Sequence, residues 1–332
     1  MTSKHDEKGK FNFVEMMKTG TMISGIAIVL SIVCLIGIGL NYGIDFKGGS
    51  IFHYRFDKEV SENTVRDLIN KSALKKDFGE VVVQRVLAQV DLGLIKENKE
   101  VEAVYTGSEL IIHTEASQEV IEAEDVEPKL EALFRSGSLG GFNKYKREFV
   151  GPTVGASLRS KSIIALVIAI LGILLYISLR FEFVYAVAAV CALLHDSVIV
   201  MGIFAILQKE VNIGIMAALL TIIGYSLNDS IVILDRIREN SRLKGRLPYD
   251  QRVNLSLNQS LTRTINTSVT TLLAVVSLLL LGGIVIHDFA LAMTIGVLVG
   301  TYSSIFVVSP IIIHWYYKEH EKASRGMVSE EN

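Results

Sequence analysis

Apolar residues run almost unbroken for about twenty positions at six places in the chain, near 21–40, 162–179, 184–206, 211–234, 265–286 and 289–313. A hydrocarbon core of about 30 Å needs about twenty helical residues to cross it, so the pattern predicts six transmembrane helices. Between the first two runs the pattern changes. Short β-rich stretches alternate there with amphipathic ones. Ser50 to Phe56, Glu80 to Gln84, Glu109 to His113 and Lys146 to Val150 are predicted strands. Ser61 is a predicted N-cap before Val65, Leu68, Ile69 and Leu74 at helical spacing, and Val120 to Phe134 is a predicted helix interrupted by Pro128. The order strand, helix, strand, strand, helix, strand predicts a ferredoxin-like α+β domain. Residues 91–104 fit neither pattern and are expected to be a flexible insertion.

The predicted fold class is therefore a polytopic α-helical membrane protein, with six transmembrane helices and one exported ferredoxin-like α+β domain between helices 1 and 2. The expected divisions are an N-terminal segment 1–20, a first transmembrane helix 21–40, the exported domain 41–160, a bundle of helices two to six over 161–315, and a tail 316–332. The first run is too long for a signal-peptide core and lacks a small-x-small cleavage site, so it is expected to stay as a signal-anchor. Lys4, Lys8, Lys10 and Lys18, with Phe11, Phe13, Val14, Met16 and Met17, give the first twenty residues an interfacial character.

Composition agrees: half of the 332 residues are hydrophobic. The 33 basic and 35 acidic residues nearly balance, which gives no reason to expect a nucleic-acid partner. Both cysteines, Cys34 and Cys191, lie inside predicted spans, so no disulfide framework is readable. Basic residues set the orientation. Arg236, Arg238, Arg242, Lys244, Arg246 and Arg252 lie between the fourth and fifth runs, and Lys318, Lys322 and Arg325 in the tail. The opposite turns hold only Lys209. Both termini are thus expected in the cytoplasm and the large domain outside.

Ionisable side chains inside a span are costly and usually face a bundle interior or a water path. Asp229, in the stretch Gly224-Tyr-Ser-Leu-Asn-Asp-Ser-Ile-Val-Ile-Leu-Asp-Arg-Ile-Arg-Glu-Asn240, is the leading candidate. Thr221, Tyr225, Ser226 and Asn228 share its helix and form an expected polar stripe. On the fifth span Arg263, Asn266, Thr267, Thr270, Ala274 and Ser277 fall on one face, although Arg263 at a span end also suits simple snorkelling. Antiparallel helices four and five put Asp229 and Arg263 at similar depth. A facing arginine stabilises an ionised carboxylate, so opening and closing such a pair would load and release a proton. Asp235 reads as a solvated charge at the water boundary. His195-Asp196 and His287-Asp288 invite a metal reading, but no further ligand completes a cage. Asp196 reads instead as part of a polar bundle interior, and Gly296, Gly300 and Pro310 as packing or kink positions. His53 and His113 read as ordinary strand residues.

Gly43-Ile-Asp-Phe-Lys-Gly-Gly49, Tyr176-Ile-Ser-Leu-Arg-Phe-Glu182, His195-Asp196, the Gly224–Asn240 stretch and Arg263-Thr-Ile-Asn-Thr-Ser268, in that order, resemble the SecD/SecF family of bacterial preprotein translocase subunits. Asn228-Asp229 resembles its SecF branch. The resemblance runs from about residue 11 to 315. It implies an inner-membrane subunit that works with SecD to couple the proton-motive force to late steps of protein export. Implied partners are SecD, the SecYEG channel, YajC, unfolded preproteins, protons and membrane lipids. Asp229 matches the proton-pathway aspartate and Arg263 its arginine, with Asp196 and Asn228 beside them. Tyr225, Ser226, Asn266, Thr267 and Thr270 are the expected polar lining, and Gly43, Asp45, Gly48 and Gly49 the family turn. No cofactor, metal or enzymatic activity is implied. Three other readings stand beside this one: half of a proton-driven small-molecule or lipid exporter, a membrane metalloenzyme on the His-Asp sites, and a passive translocase scaffold.

Overall fold

The structure, a computed structural model, describes residues 10–79, 81–86 and 108–330. The expected insertion at 91–104 lies outside the described residues. Helix α1 (Phe13–Gly37) starts within the segment read as interfacial, because Asn12 caps it by accepting from the Glu15 N–H at 3.5 Å. Phe13 and Met17 are bundle core there and do not lie on a membrane surface. Asn254 and Asn258 accept from the Phe13 and Phe11 N–H groups, each at 2.8 Å, and fix where the helix enters.

The chain then passes through β1 (Asn41–Tyr42) and a one-turn α2 (Ile44–Lys47) into the α+β domain. That domain contains β2 (Gly49–Phe56), α3 (Glu62–Lys71), α4 (Lys75–Phe78), β3 (Val81–Val86), β4 (Ser108–Thr114), α5 (Gln118–Ala123), α6 (Val126–Ser136) and β5 (Phe142–Val150). Its sheet has the order β3-β4-β2-β5 with every pairing antiparallel. With the strands counted in chain order this is 4-1-3-2 reversed, the ferredoxin-like arrangement that the alternation of elements predicts. Burial alternates along β4: Leu110 and Ile112 are fully buried, while Ile111 and His113 face the other way. Phe134 of α6 locks this core, with ring contacts to Tyr54, Phe56 and Phe142 at 5.2, 5.4 and 5.5 Å.

Two sequence expectations shift here. Leu74 leaves the first helix and opens α4, because Ser72 ends α3 in extended backbone. The second helix divides before Pro128, at Asp125, which is left-handed with φ 46°. Pro128 sits in the first turn of α6, where its missing N–H has no intrahelical partner to lose. Ser117 caps α5 by accepting from the Val120 N–H at 3.3 Å. Ser117→Ala is expected to cost about 1 kcal/mol, measurable as a local increase in hydrogen exchange across α5 in the detergent-solubilised chain.

The bundle comprises α1, α7 (Pro152–Arg180), α8 (Phe183–Leu207), a two-residue strand β6 (Glu210–Val211), α9 (Ile213–Leu243), α10 (Tyr249–Leu281), α11 (Ile284–Ser303) and α12 (Ser309–Glu330). The last two join through a π-helical turn, Ser304–Val308, into one span. Among the described residues, six helices are long and apolar enough to cross a membrane. The third, fourth and sixth bury half of their apolar window against 6% for the second, so they form the centre and α7 stands at the outside of the bundle. Much of the basic stretch read as a loop between the fourth and fifth spans is helix, and only about five residues from Lys244 separate α9 from α10. Arg252 is buried there against the stacked rings of Tyr249 and Tyr316, which lie 3.9 Å apart, with its guanidinium 5.0 and 5.8 Å from their centroids.

Close helix approach at the centre depends on small residues. A Cβ on Gly296 would lie 2.4 Å from Ile222, and one on Gly300 would lie 2.9 Å from the Cβ of Ser226. Pro310 follows the π-helical turn and leaves the Phe306 carbonyl without its usual helical donor; Thr21 of α1 approaches that oxygen at 3.5 Å.

Candidate functional site

Helix α9 carries buried polar groups at Ser226, Asp229 and Ser230, separated by the three- and four-residue steps that keep side chains on one helical face. Asp229 is 1% exposed. Its Oδ1 accepts from Thr267 at 3.3 Å and its Oδ2 from Ser268 at 3.4 Å, both on α10. Both contacts are long. Each hydroxyl has one proton to give, and each also lies 2.8–2.9 Å from the Thr264 carbonyl of its own helix. Asp229 is thus held in place but lightly hydrogen-bonded. Ser268 also meets Thr301 of α11 at 2.7 Å, which ties the site to a third helix.

Asp196, also 1% exposed, is held quite differently. Its Oδ2 accepts from Ser226 at 2.6 Å and from Ser303 at 2.9 Å, and its Oδ1 lies 2.8 Å from Nδ1 of His195. One carboxylate thereby joins α8, α9 and α11, with short contacts at both oxygens. Nε2 of His195 is buried without a partner. The two carboxylates share α9 and α11, through Ser226 and Asp229 on one and Thr301 and Ser303 on the other.

A cavity of about 560 Å³ opens at the end of the bundle remote from the α+β domain, lined among others by Tyr176, Phe181, Asn228, Asp235, Ser260 and Arg263. Asn228 lies on the cavity wall while its neighbour Asp229 turns inward. Successive helical residues point about 100° apart, so this adjacent pair connects the cavity side with the buried side. Arg263 is exposed and lines the cavity, and no ion pair within 4.0 Å joins it to Asp229.

The expected polar stripe on α9 is therefore split. Ser226 and Asp229 point in, Thr221 and Asn228 point out, and Tyr225 is half-buried with its hydroxyl unpartnered. The expected lining also needs correcting on α10. Thr267 reaches Asp229, but Asn266 and Thr270 face away from this chain's bundle, and Thr270 satisfies its hydroxyl on the Asn266 and Thr267 carbonyls. The turn residues Gly43, Asp45, Gly48 and Gly49 lie at the junction with the α+β domain, far along α9 from Asp229. Gly43 donates to the Val211 carbonyl at 3.0 Å, and Asp45 accepts from the Ile213 N–H at 3.1 Å, capping α9. Sequence reasoning missed Ser268, Thr301 and Ser303, because hydroxyls are common in membrane helices and commonly bond their own backbone. Among the described residues no three His, Cys, Asp or Glu side chains converge as a metal cage would require; Asp288 instead pairs with Lys209 at 3.0 Å.

A bundle of six spanning helices that buries two carboxylates at its centre and carries a ferredoxin-like domain after its first helix defines a multi-pass membrane protein with an intramembrane polar site. Residues 129–318 match the family described as protein export membrane protein SecD/SecF, C-terminal, and residues 35–60 match the SecD/SecF GG motif. Protein translocase subunit SecF of Magnetococcus marinus is 42% identical over 303 residues, covering 91% of both chains. Protein translocase subunit SecDF of Thermus thermophilus is 38% identical over 317 residues, which is 96% of this chain and 40% of that one. The crystal structure of that organism's SecDF, a translocon-associated membrane protein, matches at a TM-score of 0.78 and 37% identity, covering 94% of this chain and 39% of its own. The chain belongs to the SecF family of protein translocase subunits, whose role is in Sec protein export; it spans about 40% of the length of its SecDF relatives.

Proposed function

We propose that this chain works with SecD, beside the SecYEG channel and YajC, to couple the proton-motive force to late steps of preprotein export across the inner membrane. In this reading Asp229 is the proton carrier, Arg263 and Asn228 form its cavity-side approach, and Asp196 is the fixed end of the polar path. The observation that carries it is the contrast between the carboxylates. Asp196 has short hydrogen bonds to both oxygens, whereas Asp229 has only long, shared ones and lies next to a cavity that contains a guanidinium. A lightly held carboxylate costs little to protonate, since few hydrogen bonds to the ion are given up.

The basic residues Arg236, Arg238, Arg242, Lys244 and Arg246 cluster at the cavity end, which supports placing that end and both termini in the cytoplasm. The α+β domain then lies outside, where emerging unfolded preproteins pass. One charge moved across the membrane releases about 2.3 kcal/mol per 100 mV, enough to shift a two-state equilibrium well over tenfold. Ser268 and Thr301 would carry a change at Asp229 into α10 and α11.

The test is late-stage preprotein translocation into inverted inner-membrane vesicles containing native chain or Arg263→Met, with and without an uncoupler. Arg263→Met is expected to lose the uncoupler-sensitive component while still assembling with SecD; full retention would leave the chain a passive scaffold. Asp196→Asn is expected to cost about 1–3 kcal/mol, seen as a lower unfolding temperature, because an amide cannot accept at both oxygens. It should keep part of the uncoupler-sensitive export.

A further inference from the structure

The α+β domain meets the bundle at one polar contact that the reading above does not use. β6 pairs in parallel with β1, Asn41 against Glu210 and Tyr42 against Val211, so the linker entering the domain is fixed to the α8–α9 turn. The Glu210 side chain leaves that turn and reaches the sheet. Its Oε1 lies 3.4 Å from Nε2 of Gln84 on β3 and 3.4 Å from Nδ1 of His113 on β4. Val82 pairs with His113, so Gln84, two residues on, is on the same sheet face, the one opposite the helices. The Glu210 and His113 side chains are only 12% and 13% exposed. Among the described residues no cation is committed to Glu210: Lys209 pairs with Asp288 of α11, and the other charges facing it are Asp45 and Lys47 of α2. Glu148 of β5 faces His113.

We propose that Glu210 and His113 form a proton hand-off site between the α+β domain and the bundle. The imidazole carries the proton while the domain is lifted away, and the carboxyl holds it once the domain rests on the bundle. On docking one N–H bond of His113 breaks and one O–H bond forms on Glu210, which leaves neither ring nitrogen of His113 with a hydrogen-bond partner in the closed site; the charges of both groups vanish as they are buried. That removes the cost of enclosing an ion pair whose further support on the carboxylate is the long Gln84 hydrogen bond. The ligand is a proton, and the site does not depend on Asp229 carrying one.

The electrostatics agree. Burial pushes Glu210 up to about 7, with Asp288 and Asp45 adding to the rise and Lys47 and Lys209 opposing it. Burial pushes His113 down to about 4 against the opposing charge of Glu148. Freed, they return towards 4.5 and 6.5. A carboxyl raised by docking favours the docked state at low pH, and that gain fades as pH rises from 4.5 to 7. An imidazole lowered by docking acts in the opposite direction, favouring docking as pH rises from 4 to 6.5. Between 4.5 and 6.5 the two nearly cancel in the native chain, because the proton is passed on within the pair.

The experiment uses full-length chain in nanodiscs, with Cys34→Ser and Cys191→Ser, and spin labels on Ser136→Cys in α6 and Leu281→Cys at the domain-side end of α10. The ratio of docked to lifted distances is read from pH 4.5 to 8. The native pair should be nearly flat below 6.5. In His113→Gln docking should weaken by up to about tenfold per pH unit as pH rises towards 7, and in Glu210→Gln it should strengthen by a similar factor towards 6.5. Opposite slopes establish the hand-off. Flat profiles in both variants, or slopes of the same sign, overturn it. The same slopes in an Asp229→Asn background separate this site from the intramembrane one; their loss there assigns the titration to Asp229 and overturns the proposal.

Discussion

Asp229→Asn is expected to abolish the uncoupler-sensitive part of late preprotein translocation while the chain still inserts and still associates with SecD. The substitution preserves shape. The remaining amide oxygen can accept from Thr267 or Ser268, and the new NH₂ group can donate to either hydroxyl, since each already has a backbone acceptor at 2.8–2.9 Å for its own proton. The fold therefore loses about 1 kcal/mol at most. What disappears is the ability to bind and release a proton. If that exchange drives the cycle, the contribution of the membrane potential, about 2.3 kcal/mol per 100 mV for each charge, is removed entirely. That corresponds to well over tenfold in the driven step. Translocation into inverted vesicles measures it directly. Unchanged sensitivity to the uncoupler in Asp229→Asn would sink the proton-carrier reading and leave Asp229 as a packing residue.

How much of this was legible in the sequence follows from the length scale of each signal. The six spans and the ferredoxin-like order emerge from runs of five to twenty residues, because burial in lipid or against a sheet imposes a pattern along the whole element. Asp229 and Asp196 stood out because a carboxylate in an apolar run is costly enough to be noticed alone. Their partners did not. Ser268, Thr301 and Ser303 are defined only by how α9, α10 and α11 cross, and a serine in a membrane helix looks the same whether it serves a carboxylate or its own carbonyl. Asn266 and Thr270 show the opposite error. Helical periodicity put them on the face of Thr267, but a face about 100° wide includes both the edge that touches α9 and the edge that leaves the bundle.

The junction shows the same limit. His113 read as an ordinary strand residue because alternation along β4 gives only its face of the sheet. What covers that face is Glu210, 97 residues later in a two-residue strand that carries no periodicity. The turn glycines were recognised as a motif, yet the reason for them is steric and appears only when three distant segments meet.

Gly49→Val is expected to unfold or detach the α+β domain while leaving the six spans inserted. Gly49 has φ +137°, a region that side chains rarely enter, and a Cβ there would lie 2.3 Å from the Thr114 carbonyl oxygen. The obstacle is backbone, so no rotamer change relieves it. Ser50 pairs with Thr114 on one side and Gly49 with Val150 on the other, so displacing Gly49 opens both ladders of β2 at their bundle end. The neighbouring Gly48 is equally confined, its Cβ position 2.8 Å from Cα of Pro152, where α7 begins. Strain of about 1–3 kcal/mol and two or three lost ladder bonds at about 1 kcal/mol each amount to a large share of the roughly 5–15 kcal/mol that holds a domain together. Limited proteolysis of membrane vesicles with the domain accessible should show cleavage between α1 and α7 in Gly49→Val, with export lost. Gly172→Ala, where nothing lies within 4 Å of an added Cβ, should behave as native. If Gly49→Val resists protease as native does, the turn is not the point where the domain is fixed to the bundle.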